Sequence, residues 1–511
     1  MQPNYKQYVL LLVVISFVIR LLVAASIELG NDEVYYWTYS QMLQWNYFDH
    51  PPMVALWIRL STLNLYLQED EVFVRLGSLI SCAVATLLIF KTVEKVHSAP
   101  AGWLAALLYN ASIYASIIAG IFIMPDSPQM VFWCACLYLL VKINAAPTSW
   151  MYWMLFGACA GLCIMSKVHG VFIWFGLLLF IIFHKRDYIK LPQLYTALLI
   201  TAIIASPILI WNINNHFITY TYHSNRVLVN HFRIKPFGFF REIVGEVLYN
   251  NPVVVFLSIA ATRWWIKKRP FRSEVLALYF WIGLPMIGIL ISVALFKDTL
   301  PHWSGPAYVS LLPVTAIYCT SLAAQKVVPP LLRWAIVLVI FALIAGVFLI
   351  NFYPGTIGKK RGIELGKNDF TLDMNGWQKA GKSFATIYKE DVEKGIVKKG
   401  AAVVCYKWFP AAHEAYYFCH PLGLPMIGLG NINELHQFSF TTKESYQQVT
   451  SGPVYCIIPS NEYYDPQEKY GAYFNQIDSV TEIKSYRGNK PSRNFYIYRL
   501  SGWKKTGFDK L

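Results

Sequence analysis

Eleven stretches of this chain are predominantly apolar, at roughly 8–25, 73–90, 101–119, 122–141, 150–166, 170–184, 194–211, 245–266, 275–296, 304–323 and 331–351. A bilayer core takes about 20 apolar residues as a helix, so these runs predict a polytopic α-helical membrane protein of about eleven transmembrane helices. No such run follows position 351. The remainder mixes polar and apolar residues with turn signals and reads as a soluble domain. The pattern divides the chain into 1–351, with two long loops at 26–72 and 212–244, and 352–511.

The first run has Lys6 ahead of it and Ala24, Ala25 and Ser26 after it, as a signal peptide would. Arg20 interrupts it and ten further runs follow, so a retained first helix is the simpler reading. One set of short loops carries 14 Lys and Arg against three acidic residues, whereas loop 26–72 carries seven acidic residues and a single Arg. The positive-inside rule makes the basic set cytoplasmic. The N-terminus is then inside, and eleven spans put the C-terminal domain outside, in the periplasm of a bacterial inner (plasma) membrane protein.

Composition supports the membrane reading. Hydrophobic residues are 56% of the chain and charged residues 14%, where a soluble domain carries roughly 25% charge. This excludes a disordered, collagenous or small disulfide-rich protein. The net charge of +15 is largely accounted for by orientation signals, so it calls for no nucleic acid partner. Cys134, Cys136, Cys159 and Cys163 lie in apolar runs and read as packing residues. Cys405, Cys419 and Cys456 leave room for one disulfide. No glycine-rich fingerprint, P-loop or nucleophile elbow is present, so no nucleotide cofactor is expected.

The outer-face loops hold the ionisable residues near membrane depth, where charge is costly and usually functional. Asp32 and Glu33 follow Gly30-Asn31 and precede an aromatic amphipathic stretch. Asn31 or Asp32 is suited to cap that helix, and Tyr35, Tyr36, Trp37 and Tyr39 suit one lying in the headgroup layer. Asp32 is then a carboxylate just outside the membrane, placed as a general base. Asp49 and His50 precede Pro51-Pro52, which forbid a helix there, and Asp with His suits a divalent cation or a phosphate. Asp126 opens the fourth run, Lys167 and His169 sit in a tight turn, His223 and Arg226 follow the seventh run, and Lys297 and His302 precede the tenth. Carboxylates beside a cationic rim suit a lipid phosphate as leaving group and a hydroxyl as nucleophile.

The acidic pair in the first outer loop, the downstream Asp49-His50-Pro51-Pro52 turn and the Asp126 that opens the fourth run resemble membrane glycosyltransferases of the GT-C class. The resemblance is to the bacterial branch of the protein O-mannosyltransferase superfamily, which includes the aminoarabinose transferases of lipid A, and covers about 1–350. The tail is similar to their periplasmic domains at Asp373-Met374-Asn375-Gly376-Trp377, Val403 to Tyr406 and Ala411-Ala412-His413-Glu414. As a small α/β unit it would have strands near 401–407, 424–429, 453–458, 479–486 and 494–499, with helices near 376–391 and 410–418.

The resemblance implies an inverting transfer of a sugar from a polyprenyl-phosphate donor to a hydroxyl or phosphate of a lipid, glycan or protein acceptor in the cell envelope. It makes Asp32 the base, Glu33 its neighbour and Asp126 the second acidic motif. Arg226, Lys297, Lys167, His50 and His302 would hold the donor phosphate. Asp49 falls where those enzymes carry a metal-binding glutamate, and with His223 it is the pair offered to a divalent metal ion. His50 stands where they carry a lysine, and two residues separate Lys167 from Gly170 where they have a Lys-Gly turn. The competing reading is a lipid or sugar transporter or flippase. It expects charges near the midplane and repeated halves with broken helices, and neither is visible. A sensor that binds through its outer domain gives no role to Asp32, Asp49 and Asp126.

Overall fold

The computed structural model describes residues 4–228, 234–268, 274–322, 329–441, 449 and 452–504. Every apolar run contains a helix within these limits. Among the described residues, six helices are long and apolar enough to cross a membrane: Tyr5–Ala24, Glu71–Val96, Asp126–Ala145, Pro192–Asn214, Val275–Ala294 and Pro330–Asn351. The pair Pro236–Tyr249 and Pro252–Lys268, bent by 96°, makes a seventh if taken as one span. The difference from eleven has a local cause. Ala99–Ala111 stops short at Ser112 and gives way to a π-helical turn, Tyr114–Ile118, Trp150–Ser166 and Val171–His184 are short, and Gly305–Leu322 has Pro313 inside it. The chain is a multi-pass membrane protein.

The chain forms two compact units. The first comprises Met1–Ala24 and Leu43–Leu343, the second Ala25–Met42 and Ile344–Leu511. In the first, small residues let helices approach closely, as expected where no hydrophobic force separates helix from lipid. A Cβ on Gly157 would lie 2.4 Å from the Ala197 carbonyl oxygen, and Thr201 donates to the Gly157 carbonyl at 2.8 Å. Asp70 caps Glu71–Val96 by accepting from the Val72 N–H at 2.8 Å. The Arg20 that breaks the first run is buried, with Nε on the Ser116 carbonyl at 3.0 Å and Nη2 on Asn110 and Ser116 at 2.8 and 2.7 Å.

The second unit holds a five-stranded sheet in the order β2-β1-β3-β5-β4, with β1 Val403–Cys405, β2 Met426–Gly428, β3 Val454–Pro459, β4 Phe474–Arg487 and β5 Lys490–Trp503. β1 pairs in parallel with β2 and β3, whereas β5 is antiparallel to β3 and β4. These strands lie at the five expected places, and Trp377–Glu393 and Trp408–Glu414 at the two expected helices. Gly488 and Asn489, at φ 53° and 59°, make the left-handed two-residue turn that joins twisted strands in a hairpin. Below it, Arg487 forms a buried ion pair with Asp369 at 3.1 Å. Cys405, Cys419 and Cys456 are all buried free thiols, so the disulfide they left room for is not formed, and Cys456 packs in the sheet's apolar core.

Candidate functional site

The segment that carries Asp32 and Glu33 is the helix Asn31–Gln41, part of the second unit. Its cap differs from expectation. Gly30 is the cap residue, and its N–H donates to Glu33 Oε2 at 2.8 Å. Glu33 is therefore buried and turned back on its own helix, and Asp32 is exposed. Asn31 is held instead by two distant side chains. Its amide donates to Asp373 Oδ2 at 2.8 Å, and its Oδ1 accepts from His413 Nε2 at 2.9 Å.

The aromatic face of this helix does not lie against lipid. Tyr35, Tyr36, Trp37 and Tyr39 are buried. Tyr35 packs on Trp408 with ring centres 5.0 Å apart, and Trp37 on Tyr416 at 4.9 Å. An aromatic stripe looks the same in sequence whether it meets headgroups or other rings.

A stack of planar groups supports this arrangement. His413 lies on Trp377 at 4.1 Å and 4°, and the Arg493 guanidinium stands 4.1 Å from the Trp377 ring centre. Glu28 accepts from the Trp377 and Gln378 N–H groups at 2.8 and 3.1 Å, at the start of helix Trp377–Glu393, where the helix dipole favours an anion. Burial raises Asp373 to about 7, with Glu462 and Asp32 adding to the rise and Arg493 opposing it. Burial lowers Arg493 to about 10.

In the first unit the polar centre is an ion pair. Lys167 Nζ lies 2.9 and 2.8 Å from the two oxygens of Asp126, and both residues are almost fully buried. The Tyr114 hydroxyl donates to Asp126 Oδ1 at 2.7 Å. The π-helical turn supplies Tyr114, and a Cβ on Gly305 would lie 2.4 Å from its ring. Asp126 is the first helical residue after Pro125, not the cap. Lys167 thus engages the Asp126 carboxylate.

Histidines surround this pair. His50 is close enough for His223, Lys167, Asp126 and His169 to act on its charge, and burial holds it well below the ordinary histidine range. His302, in the turn Pro301–Ser304, acts on Asp126, and His169 packs on Trp303 at 5.7 Å. The structure therefore brings together His50, Asp126, Lys167, His223 and His302. Lys297 is half-buried at the loop beside Asp298, which is paired with Lys235 and Arg241 at 2.9 Å each. The Arg226 side chain lies outside the described residues.

The two residues offered to a metal meet through one hydrogen bond. His223 Nε2 donates to the backbone oxygen of Asp49 at 2.6 Å, so that nitrogen carries a proton. Among the described residues no three His, Cys, Asp or Glu side chains are grouped to hold a metal ion.

Sequence reasoning missed Tyr114, Glu28 and Arg493. Tyr114 had a signal, since Asn110, Ser112 and Ser116 make its apolar run unusually polar. Arg493 is one basic residue in a strand, and nothing local marks it as buried.

Residues 49–211 match the family described as dolichyl-phosphate-mannose-protein mannosyltransferase. The fold matches that of ArnT from Cupriavidus metallidurans in the apo state, with TM-score 0.60 and 12% identity, covering 97% of this chain and 98% of that one. The chain has that fold, which is of the GT-C type. The same ArnT bound to undecaprenyl phosphate gives TM-score 0.59 at 14% identity. The lipid A galacturonosyltransferase RgtD of Rhizobium johnstonii is 24% identical over 320 residues, which span 60% of this chain and 65% of that relative, under two thirds of its length. The family match takes in Asp49, His50, Asp126 and Lys167 and leaves out Asp32, which precedes it.

Proposed function

We propose that the chain is an inverting glycosyltransferase that moves a sugar from a polyprenyl-phosphate donor to lipid A or a related envelope acceptor. It works at the periplasmic face of a bacterial inner membrane, with its N-terminus cytoplasmic. The observation that carries this reading is the Asp126–Lys167 pair ringed by His50, His169, His223 and His302. Four imidazoles around a neutralised ion pair suit a phosphate that gains charge as it leaves.

Asp32, exposed on the first turn of its helix, takes the proton of the acceptor hydroxyl. The acceptor oxygen attacks the anomeric carbon, and the bond from that carbon to the phosphate oxygen breaks, its electron pair leaving with the phosphate. A lipid phosphate is already a fair leaving group, so orientation and charge stabilisation are the enzyme's main tasks. Lys167 is committed to Asp126 and acts by holding that carboxylate in place. The histidines, with Lys297 and Arg226, are the groups left for the phosphate.

The name of RgtD and the undecaprenyl phosphate bound to ArnT support the donor and acceptor classes. The test is transfer by the purified full chain from labelled undecaprenyl-phosphate sugars to lipid A. Asp32→Asn should abolish transfer and leave the thermal unfolding midpoint in place. Full transfer by that variant would remove Asp32 as the base, and no transfer from any such donor by the native chain would remove the reading itself.

A further inference from the structure

Helix Pro236–Tyr249 carries a feature that the reaction above does not use. Glu242 and Glu246 are one turn apart and are 0% and 1% exposed. Each has one satisfied oxygen: Thr299 donates to Glu242 Oε2 at 2.7 Å, and Tyr308 to Glu246 Oε2 at 3.1 Å. The other oxygen of each is buried without a hydrogen-bond partner among the described residues.

A third buried acceptor, from a neutral side chain, lies beside them. Asn250, 1% exposed, folds its amide nitrogen back onto the Glu246 carbonyl at 2.9 Å, and its Oδ1 also has no partner among the described residues. Positions 242, 246 and 250 share one helix face. Three buried acceptors without donors are costly, and native proteins leave such groups where something else supplies the hydrogens.

Their place in the fold says what that partner is. A Cβ on Gly245 would lie 2.3 Å from Pro301, so this helix is pressed against the turn Pro301–Ser304. That turn carries His302, which acts on Asp126, and Trp303, which packs on His169. One short turn therefore connects the three acceptors with the polar centre around Asp126. We propose that Glu242, Glu246 and Asn250 form a subsite for the donor sugar and bind a group rich in N–H or O–H donors, the hydroxyls or an ammonium of that sugar. The subsite rests on the glycosyltransferase reading and adds a specificity to it. Two carboxylates disfavour a uronic acid, the sugar class named for RgtD.

The experiment measures binding of bare undecaprenyl phosphate, and of the same lipid carrying a neutral, an amino or a uronic sugar, to the full chain in detergent. The native chain should prefer neutral and amino donors to the uronic one by about tenfold or more, or 1.4 kcal/mol and upwards. Glu246→Gln should erase that preference and leave the bare lipid phosphate bound as before, and Glu242→Gln repeats the test if the first variant does not fold. A tighter amino than neutral donor, lost in Glu246→Gln, assigns the recognised group as an ammonium, whereas equal binding assigns hydroxyls. Equal affinity of the native chain for all three sugars overturns the subsite, as does an equal loss of bare and sugar-bearing lipid in the variant. If discrimination is present but no acceptor is ever glycosylated, the subsite stands and the glycosyltransferase reading falls. If the native chain binds none of the lipids, saturation transfer from soluble methyl glycosides decides: no difference between native and Glu246→Gln overturns the subsite.

Discussion

Lys167 Nζ sits 2.8 Å from Asp126 Oδ2 with both side chains almost completely out of water. Removing one partner of such a pair leaves a buried uncompensated charge, at a cost of about 3–5 kcal/mol. Lys167→Met should therefore lower the thermal unfolding midpoint steeply. The double variant Lys167→Met with Asp126→Asn should recover most of that loss and still fail to transfer sugar. A double variant as unstable as the single one would show that the pair's charge balance is not what stabilises this site.

Gly305 makes a second, steric prediction about the same carboxylate. Its substitution by Ala drives a methyl into the Tyr114 ring and displaces the hydroxyl that donates to Asp126. Gly305→Ala should lower both stability and transfer, and Tyr114→Phe should reproduce only the loss of the hydrogen bond, about 0.5–1.5 kcal/mol. Calorimetry of the two variants checks this. Native-like behaviour of Gly305→Ala would mean that Tyr114 has room to move.

Asn31 is the bridge between the Asp32 helix and the stack around Trp377. Asn31→Ala leaves Asp373 and His413 without that bridge and loosens the first turn. Misplacing a reacting group by about 1 Å costs on the order of 100-fold, so kcat should fall by roughly 10- to 100-fold. Binding of bare undecaprenyl phosphate should be unchanged. A loss confined to donor affinity would contradict the role given to Asn31.

Asp373 predicts a pH dependence of stability. Its carboxyl is raised from 3.8 to about 7 in the folded chain. Folding then takes up a proton between those values. The contribution is fully present below the unfolded pKa and is lost as pH rises through about 7. Asp373→Asn removes this term, so the variant should lose less stability than the native chain between about pH 5 and pH 8. Parallel unfolding curves for the two proteins across that window would refute the shift.

Much of this was legible in the sequence. The apolar runs are long and the strands of the tail alternate clearly, so periodicity located the helices and all five strands. The residues of the polar centre in the first unit were also found, because charge at membrane depth is rare. Pairing was harder to see. Lys167 looked like a phosphate ligand because its partner Asp126 is 41 residues away. The aromatic helix looked like a headgroup anchor because the rings that cover it, Trp408 and Tyr416, lie nearly 400 residues downstream. The metal expectation rested on residue types at Asp49 and His223, whereas the structure turns the backbone of one toward the ring of the other. Glu242 and Glu246 drew no attention, since two glutamates one turn apart read as a solvated face.

The assignment of Ala25–Met42 to the same compact unit as Ile344–Leu511 has a consequence for biosynthesis. The ribosome makes the Asp32 helix early, but the rings that cover Tyr35 and Trp37 appear about 375 residues later, some 19–75 s at roughly 5–20 residues per second. During that interval the helix has aromatic surface and no home, and a nascent chain is most exposed to proteases and holdases there. A stop codon between position 352 and the final hairpin would leave every apolar run intact and insertable, yet deprive Asp32 of the scaffold that orients it.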